Sequence, residues 1–535
     1  MVNTYSIRFH FIAAIAVITL MCSCDDFLSS VKNENTQQIE TLLYNLDDLD
    51  VCMNGAYGAF SSPYYYGSVV LAECLGSDCA APTKNPSIQP DFTIVNNNNY
   101  FFSYQCSTED FQAGVYLSWG SFVTNNSNVV IHSILDHLPQ LVTKNDTLNA
   151  NRLLGEGYLM RAAVEFYNNF FVGRQYHHTT RDSLSTLYRR NPILDIHDVS
   201  EPRKTVAQVY QFLEEDLKMA IQLLPSTYDN TIHPTAYQLR CKKDVAIALL
   251  AKVYFQQNNF DSALVYSNLL LGNTMGQSAK FPLATSYSYK RIFQTIEKTN
   301  YQPNIGEEMI MALDGSNAFQ ATNPSKWTAF QWTAFKNLNY NDISSANFRI
   351  VIGDSLRQCW VRADISKDIR FQQMVYITQD NVKESPAGQW TTLKAAYPFA
   401  NTPWMRASEF HLMRAEIYLH KGNIPSALLE LNLIRNRAGL VSVPNTVSQS
   451  ELYKLIVDER SLEFCFENIR RWDNLRLASL SGSIYGSYLP EPFVRGKIPL
   501  GNRKDIISET ELDWNADRLY CLIPMNEYLF NPGLK

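Results

Sequence analysis

The sequence predicts a mostly α-helical protein in which paired helices form a scaffold and long irregular loops are inserted between them. Three observations support this fold class. Apolar residues recur at helical spacing between Trp404 and Arg476, the pattern of one helix pair recurs earlier in the chain, and two long polar stretches carry many aromatic residues. A chain of 535 residues, 46% of them hydrophobic, is long enough to bury a large core.

The C-terminal helix pair sets the pattern. Two apolar stripes at helical spacing are formed by Phe410, Met413 and Ile417 and by Ile424, Ala427, Leu428, Leu431, Ile434 and Ala438. Gly422 and Asn423 interrupt the stripes, with Asn423 in the position of an N-cap, and Gly439 stands where a left-handed residue would end the second helix. The two stripes therefore predict an antiparallel helical hairpin.

A third helix is predicted after Ser448, because Ser448 and Glu451 have the spacing of a capping box. Its apolar face is predicted to consist of Leu452, Leu455, Leu462 and Phe466. Two carboxylates lie on or beside this face, one turn apart, and buried charges need partners. Arginines follow closely, and their planar guanidinium groups suit carboxylates. We therefore predict a structural ion network, rather than a catalytic pair, formed by Glu459, Glu463, Arg470, Arg471 and Arg476.

The hairpin is repeated earlier in the chain. The shift that places Ala415 on Ala251 also places Tyr418, Asn423, Ser426, Ala427, Leu428, Asn432 and Leu433 on identical residue types, from Tyr254 to Leu269. Small residues at these positions let two helices approach closely, as in tetratricopeptide-like helix pairs. Further helices are predicted at 126–137, 153–171 and 205–224. The predicted helical frame therefore covers approximately 126–275 and 404–476.

Two predicted insertions, approximately 61–116 and 281–401, are polar and rich in aromatic residues. The second carries Tyr287, Tyr289, Trp327, Phe330, Trp332, Phe335, Tyr340, Trp360 and Trp390. Flat apolar faces beside amide groups are what a carbohydrate site needs. We predict a ligand site lined by Trp327, Trp332, Tyr340, Tyr100, Tyr104 and Tyr289. The alternative is that these aromatic residues pack the loops against the helical frame.

The composition argues against several other functions. A net charge of −6 without a basic run argues against a nucleic-acid partner. Apart from Cys22 and Cys24, the cysteines have no CxxC or paired metal-ligand spacing, and the chain has no GxSxG, HExxH or P-loop pattern. No metal, cofactor or catalytic residue is predicted. A glycosidase remains the enzymatic alternative, since acidic residues lie near aromatic ones.

Residues 1–23 are predicted to be a lipoprotein signal peptide. Arg8 precedes an apolar stretch, Phe11 to Met21, that is too short to span a membrane. Cys24 follows a small residue, as at a lipoprotein cleavage site, and would be the acylated first residue of the mature chain. The alternative is ordinary secretion with a structural cysteine. Residues 24–535 are predicted to form a single domain.

Several motifs together resemble the SusD/RagB family of outer-membrane nutrient-binding lipoproteins. They are Arg414 to Leu419, the Gly422-Asn423 turn, Asn432 to Gly439, Glu459 to Arg476 and the C-terminal run from Tyr520 to Pro532. The acidic residues that follow Cys24 are also typical of the family. With the signal segment and the helix repeat, the resemblance extends over nearly the whole chain.

The resemblance implies a SusD-like fold and a binding protein without catalytic activity. The chain is expected to be lipid-anchored in the outer membrane, to face the cell exterior and to capture an oligosaccharide. The resemblance also implies delivery of this ligand to a SusC-like TonB-dependent transporter. A peptide ligand is the alternative, because RagB-type relatives resemble the chain as much as the sugar binders do. A scaffold without a ligand would explain the helices but not the aromatic insertions.

Overall fold

The computed structural model describes residues 45–62, 65–66, 79–80, 111–137, 144–229, 240–293, 308–313, 335–336, 347–348, 351–378, 388–394, 402–499 and 509–534. The main compact unit is Leu49–Lys535. The first helices of the described residues are α1 (Leu46–Phe60), α2 (Phe111–His137), α3 (Lys144–Val172), α4 (Val206–Leu223), α5 (Lys243–Gln256) and α6 (Phe260–Leu271). The later helices are α7 (Asp354–Arg362), α8 (Ile369–Met374), α9 (Ala407–His420), α10 (Ile424–Arg437), α11 (Gln449–Glu463), α12 (Arg470–Ser479) and α13 (Met525–Phe530).

The strands of the described residues are short and form antiparallel pairs. They are β1 (Cys79–Ala80), β2 (Met309–Leu313), β3 (Phe335–Lys336), β4 (Asn347–Phe348), β5 (Val351–Ile352), β6 (Val375–Ile377), β7 (Trp390–Thr392), β8 (Thr402–Arg406), β9 (Lys497–Pro499) and β10 (Glu511–Asp513). The pairs are β1 with β5, β2 with β8, β3 with β4, β6 with β7 and β9 with β10. The helices therefore carry the architecture, and the strands join segments locally.

Consecutive helices of the frame pack side by side. Helix α2 packs on α3, α3 on α4, α4 on α5 and α5 on α6. Helix α6 then contacts α9, and α9 packs on α10 and α11. The prediction of a mostly helical scaffold of paired helices is confirmed. In the part of the chain that the structure describes, none of the helices combines the length and the apolar character that crossing a membrane requires.

The predicted repeat is present in the same register. The shift that relates the two hairpins in the sequence also places both ends of α9 on the corresponding ends of α5. The side chain of Asn259 accepts a hydrogen bond from the backbone N–H of Ser262 at 3.3 Å, and that of Asn423 accepts one from Ser426 at 3.2 Å. The equivalent residues before these caps, Asn258 and Gly422, both have positive φ values, 57° and 73°. Two stretches of sequence thus make the same turn with the same cap.

Helix α11 begins as predicted but ends earlier. The Ser448 side chain accepts a hydrogen bond from the Glu451 backbone N–H at 3.2 Å. The helix stops at Glu463, so the prediction that Phe466 continues its apolar face is wrong. Phe466 and Asn468 have φ values of 64° and 61°, a left-handed conformation that reverses the chain before α12.

The second insertion is less irregular than predicted. Strand β2 pairs antiparallel with β8, and every residue of both strands is buried. Helices α7 and α8 and the β6–β7 pair also lie between residues 281 and 401. The frame is larger than predicted on the N-terminal side too, since α2 begins at Phe111 rather than near 126. Part of each predicted insertion therefore belongs to regular structure.

Candidate ligand-binding region and its buried ion network

Most of the predicted ligand residues lie outside the described residues. These are Trp327, Trp332, Tyr340, Tyr100 and Tyr104, and Cys24 lies outside them as well. The strand pairing nevertheless shows where the segment that contains Trp327, Trp332 and Tyr340 begins and ends. Leu313 of β2 pairs with Thr402 of β8, so the segment 314–401 begins and ends at adjacent positions of a buried strand pair. The segment 314–401 is therefore anchored at both ends on the β2–β8 pair.

Tyr289 is described, and its predicted role is wrong. Its side chain has no exposed surface and packs in a core cluster with Phe293, Met309 and Met374. The Arg437 guanidinium lies 4.6 Å from the centre of its ring. A ring enclosed in this way has no face left for a ligand. The alternative interpretation, in which loop aromatics pack against the frame, is correct for Tyr289.

Two other aromatic residues of the same insertion, Trp390 and Tyr287, are accessible. Trp390 on β7 is half-buried, with Phe371 at 4.8 Å between ring centres and the Arg357 guanidinium 4.6 Å from its ring. Trp360 is buried and packs edge-on against Phe371. The Tyr287 side chain is 76% exposed. Trp390 is thus held in place by packing on one side while part of its indole reaches solvent.

The base of the insertion is held by a buried ion network centred on Glu463. One carboxylate oxygen of Glu463 contacts both Arg406 and Arg437, and the other lies 3.0 Å from Arg370. Glu463 has no exposed side-chain surface, so these three guanidinium groups replace its hydration. They come from β8, α10 and α8, which makes Glu463 a meeting point of elements distant in sequence.

Further carboxylates extend the network. Glu308 lies 2.7 Å from Arg406 and 3.1 Å from Arg437. Glu459 lies 2.7 Å from Arg370, and Glu467 lies 2.8 Å from Arg406. The members among the described residues are Glu308, Asp368, Glu459, Glu463 and Glu467 with Arg370, Lys394, Arg406, Arg435 and Arg437. Within this described set, every carboxylate has a cation to match it, as burial of charge requires.

The predicted partners of Glu459 and Glu463 are wrong in part. The Arg476 guanidinium binds Glu416 of α9 at 2.7 and 2.9 Å and lies 3.4 Å from Asp473. Arg471 donates a hydrogen bond to the Leu519 carbonyl at 2.6 Å. The physical reason is the chain reversal after α11, which aims side chains of α12 at α9 and the C-terminal segment. Arg470, the first residue of α12, is not among the cations that the described structure pairs with Glu459 and Glu463.

The network sets the charge state of its central residue. Burial by itself would raise the pKa of Glu463, but Arg437, Arg406 and Arg370 lower it well below its usual range. A carboxylate that stays ionised cannot act as a general acid, and Glu463 and Glu459 are both inaccessible to a ligand in the described structure. What the arrangement does is tie the insertion, through Glu308 and Arg370, to the helical frame.

Sequence reasoning missed the residues that complete this network. Arg370, Lys394 and Glu308 lie in the second insertion, which the sequence predicts to be loop, and Arg406 and Arg437 lie on elements that pack beside α11. Residues separated by 93 positions, as Arg370 and Glu463 are, give no periodic signal. The available signal is indirect, namely that the carboxylates on the face of α11 need partners.

Two family models match this chain. The model described as "SusD family" matches residues 325–535, and the model described as "Starch-binding associating with outer membrane" matches residues 78–255. Together they span well over half of the sequence. The chain belongs to the SusD/RagB family.

The relatives found by sequence and by structure match nearly the whole chain. SusD-like protein P2 of Formosa agariphila is 19% identical over 514 residues, which is 90% of this chain and 93% of that protein. The crystal structure of a SusD superfamily protein from Bacteroides thetaiotaomicron has a TM-score of 0.67 and 20% identity, covering 92% of this chain and 99% of that one. A laminarin-binding SusD-like protein has a TM-score of 0.64 and 17% identity, covering 91% and 98%. The overall architecture is thus shared end to end.

Proposed function

We propose that this protein is a surface-exposed, lipid-anchored glycan-binding protein that captures an oligosaccharide and delivers it to a SusC-like TonB-dependent transporter in the outer membrane. The observation that carries the proposal is its membership of a family for which one matching model is described as starch-binding and one relative with the same fold as laminarin-binding. The protein acts by binding, without catalysis.

The anchored insertion supports a binding role. Residues 314–401 start and finish on the β2–β8 pair, and the ion network around Glu463 fixes this base on the helical frame. A rigid base reduces the conformational entropy that loops lose when they bind a ligand. Trp327, Trp332 and Tyr340 belong to the segment 314–401. Together with Tyr100 and Tyr104 they are the proposed sugar-binding residues.

Calorimetry tests the ligand and the site together. We expect binding to a member of a panel that contains laminarin, starch fragments and a peptide mixture. Trp327→Ala and Tyr340→Ala should each weaken glycan binding by about 1–3 kcal/mol, the scale of burying an aromatic surface, with little change in stability. Tyr287→Ala is the matched control, since this exposed tyrosine lies in the same insertion but outside the proposed site. Unaltered affinity in both site variants would place the site elsewhere, and binding of peptides alone would make the protein a RagB-type receptor.

The anchor is tested separately. Cys24→Ala should abolish incorporation of labelled fatty acid and release the protein from the membrane fraction or leave it unprocessed. Surface exposure is measured by the sensitivity of the wild-type protein to protease added to intact cells. Unchanged lipid labelling in the variant would contradict the assignment of Cys24.

The partnership with a transporter is proposed from the family resemblance. Affinity purification of the lipidated protein from detergent-solubilised outer membranes should recover a TonB-dependent transporter in a constant ratio. Recovery of the same amount with an unrelated outer-membrane lipoprotein would argue against a specific partnership.

A further inference from the structure

A small cavity lies between α2, α3, the segment that follows α3 and the C-terminal helix α13. Its volume is about 40 Å³. Thr124, Glu165, Thr186 and Arg189 supply polar groups to its wall, and Leu187 and Ile523 supply apolar ones. Ser121, which is exposed, also lines it and marks the side that opens to solvent. Tyr289, the predicted sugar-binding residue that the structure describes, is not among the described residues that line the cavity.

Two polar atoms in this wall lack hydrogen-bond partners among the described residues. The Thr124 hydroxyl donates to one carboxylate oxygen of Glu165 at 3.5 Å, while the other oxygen, Oε2, has no partner. The Thr186 hydroxyl lies beside this carboxylate and lowers the pKa of Glu165 as a hydrogen-bond donor does, but its Oγ1 does not meet full hydrogen-bond geometry with Glu165 or any other described group. Glu165 is 5% exposed and Thr186 4% exposed. Buried polar atoms left unpaired are costly, so an occupant with complementary groups is favoured.

The charges around the cavity favour a neutral occupant. The Arg189 guanidinium, which donates to the Val199 carbonyl at 2.6 Å, lowers the pKa of Glu165 and opposes binding of a cation. Glu165 and the half-buried Glu527 of α13 oppose binding of an anion. A hydroxyl group fits both unpaired atoms, because it can donate to Glu165 Oε2 and accept from the Thr186 hydroxyl. On this measure of volume one water needs about 10–15 Å³, so the cavity has room for about three waters or for a molecule of similar size, such as a small polyol.

We propose that this cavity binds the hydroxyl-bearing end of a small neutral polyol, which is held by Glu165 and Thr186. The inference goes beyond the proposed glycan capture, because it concerns Glu165 and Thr186 rather than the aromatic residues of the insertions, and a much smaller ligand. Water and polyols can both donate a hydrogen bond to Glu165 and accept one from Thr186, so the test must distinguish a bound polyol from bound water.

Methyl-labelled full-length protein and NMR titration provide that test. Ethylene glycol and glycerol should shift the methyl signals of Leu187, Ile523 and Val172, all of which line the cavity. The probe 1,2-dimethoxyethane has the same carbon backbone as ethylene glycol but no hydroxyl donor, and it should leave these signals unchanged. Thr186→Val should weaken binding of ethylene glycol about 10-fold, which corresponds to one hydrogen bond.

Two further variants keep the proposal open to refutation. Ser121→Trp changes an exposed residue at the mouth and should suppress the ligand-induced shifts without disturbing the buried wall. Glu491→Gln changes an exposed carboxylate elsewhere and should bind as the wild type does. The proposal is overturned if no diol shifts the cavity methyls, which would mean that the cavity holds only water. It is equally overturned if 1,2-dimethoxyethane shifts these methyl signals as strongly as ethylene glycol does, or if the Thr186→Val variant binds ethylene glycol with unchanged affinity.

Discussion

Glu463 and Glu165 are both buried carboxylates on helices of the frame, but their surroundings differ. Glu463 contacts three guanidinium groups, whereas Glu165 has one long hydrogen bond from a threonine and, among the described residues, an unpaired oxygen facing a cavity. The arginines lower the pKa of Glu463 well below its usual range, while burial raises the pKa of Glu165 to about 7. Depth in the core therefore does not decide the charge of a carboxylate. The partners decide it.

The two residues have opposite effects on the pH dependence of stability. The contribution of Glu463 is present above its unfolded-state pKa and is lost as the pH falls through its folded-state pKa, because the folded state holds the ionised form more strongly. Folding instead favours the protonated form of Glu165. Its contribution is favourable at low pH and is lost as the pH rises from about 4.5 to about 7.

The largest effect is expected for Glu463→Ala. Removing this carboxylate leaves Arg406, Arg437 and Arg370 with excess positive charge in the core, so the free energy of unfolding should fall by at least about 3–5 kcal/mol. Chemical denaturation at pH 7 measures the change. Glu491→Ala, which removes an exposed carboxylate paired with Arg495, is the matched control and should leave the midpoint close to that of the wild type. Equal midpoints for the two variants would mean that the network does not stabilise the fold.

Glu165→Gln should have a smaller effect that depends on pH. A rise of the Glu165 pKa from 4.5 to about 7 corresponds to a cost of about 3 kcal/mol when the residue is ionised. The amide cannot ionise, so the difference in unfolding free energy between variant and wild type should move in favour of the variant by up to that amount between pH 5 and pH 8. Denaturation curves at four pH values measure it. Parallel pH profiles for the two proteins would show that Glu165 does not titrate in this range.

The groups that face Glu165 define what else could contribute to this profile. Arg189 and Arg161 lower the pKa of Glu165, and Glu527 lines the same cavity from α13. Arg161 is itself paired with Asp216 at 2.7 Å. Because the two arginines stay charged across this range, they do not produce the expected change between pH 5 and pH 8. Glu527→Gln, which changes the other carboxylate that lines the cavity, is the control for Glu165→Gln.

Thr124→Val should have the smallest effect. It removes the hydroxyl that donates to Glu165 and keeps the shape of the side chain. The loss of one long hydrogen bond should lower stability by about 0.5–1 kcal/mol and raise the pKa of Glu165 further. The pKa is measured from the carboxyl carbon of labelled glutamate by NMR. An unchanged or lower pKa would mean that the threonine does not stabilise the ionised form, and the contrast with Glu463 would then be sharper than the structure indicates.

The sequence by itself determined the local parts of this protein. The ends of α5 and α9, the caps at Asn259 and Asn423 and the start of α11 at Ser448 were all predictable, because each depends on residues within one or two helical turns. The need of Glu459 and Glu463 for cationic partners could be predicted in the same way, from their position on an apolar face. The sugar-binding roles of Trp327, Trp332, Tyr340, Tyr100 and Tyr104 stay predictions.

The tertiary structure alone decided which residues meet. It brought Arg370, Arg406 and Arg437 to Glu463, buried Tyr289 in the core and left one oxygen of Glu165 facing a cavity. These outcomes depend on contacts between segments far apart in the chain, for which spacing along the sequence carries no information. The direction of α12 also depends on Phe466 and Asn468, whose left-handed conformation turns the chain before this helix. As a result Arg476 pairs with Glu416 instead of Glu463. Periodicity predicts which face of a helix is buried, and packing determines what that face touches.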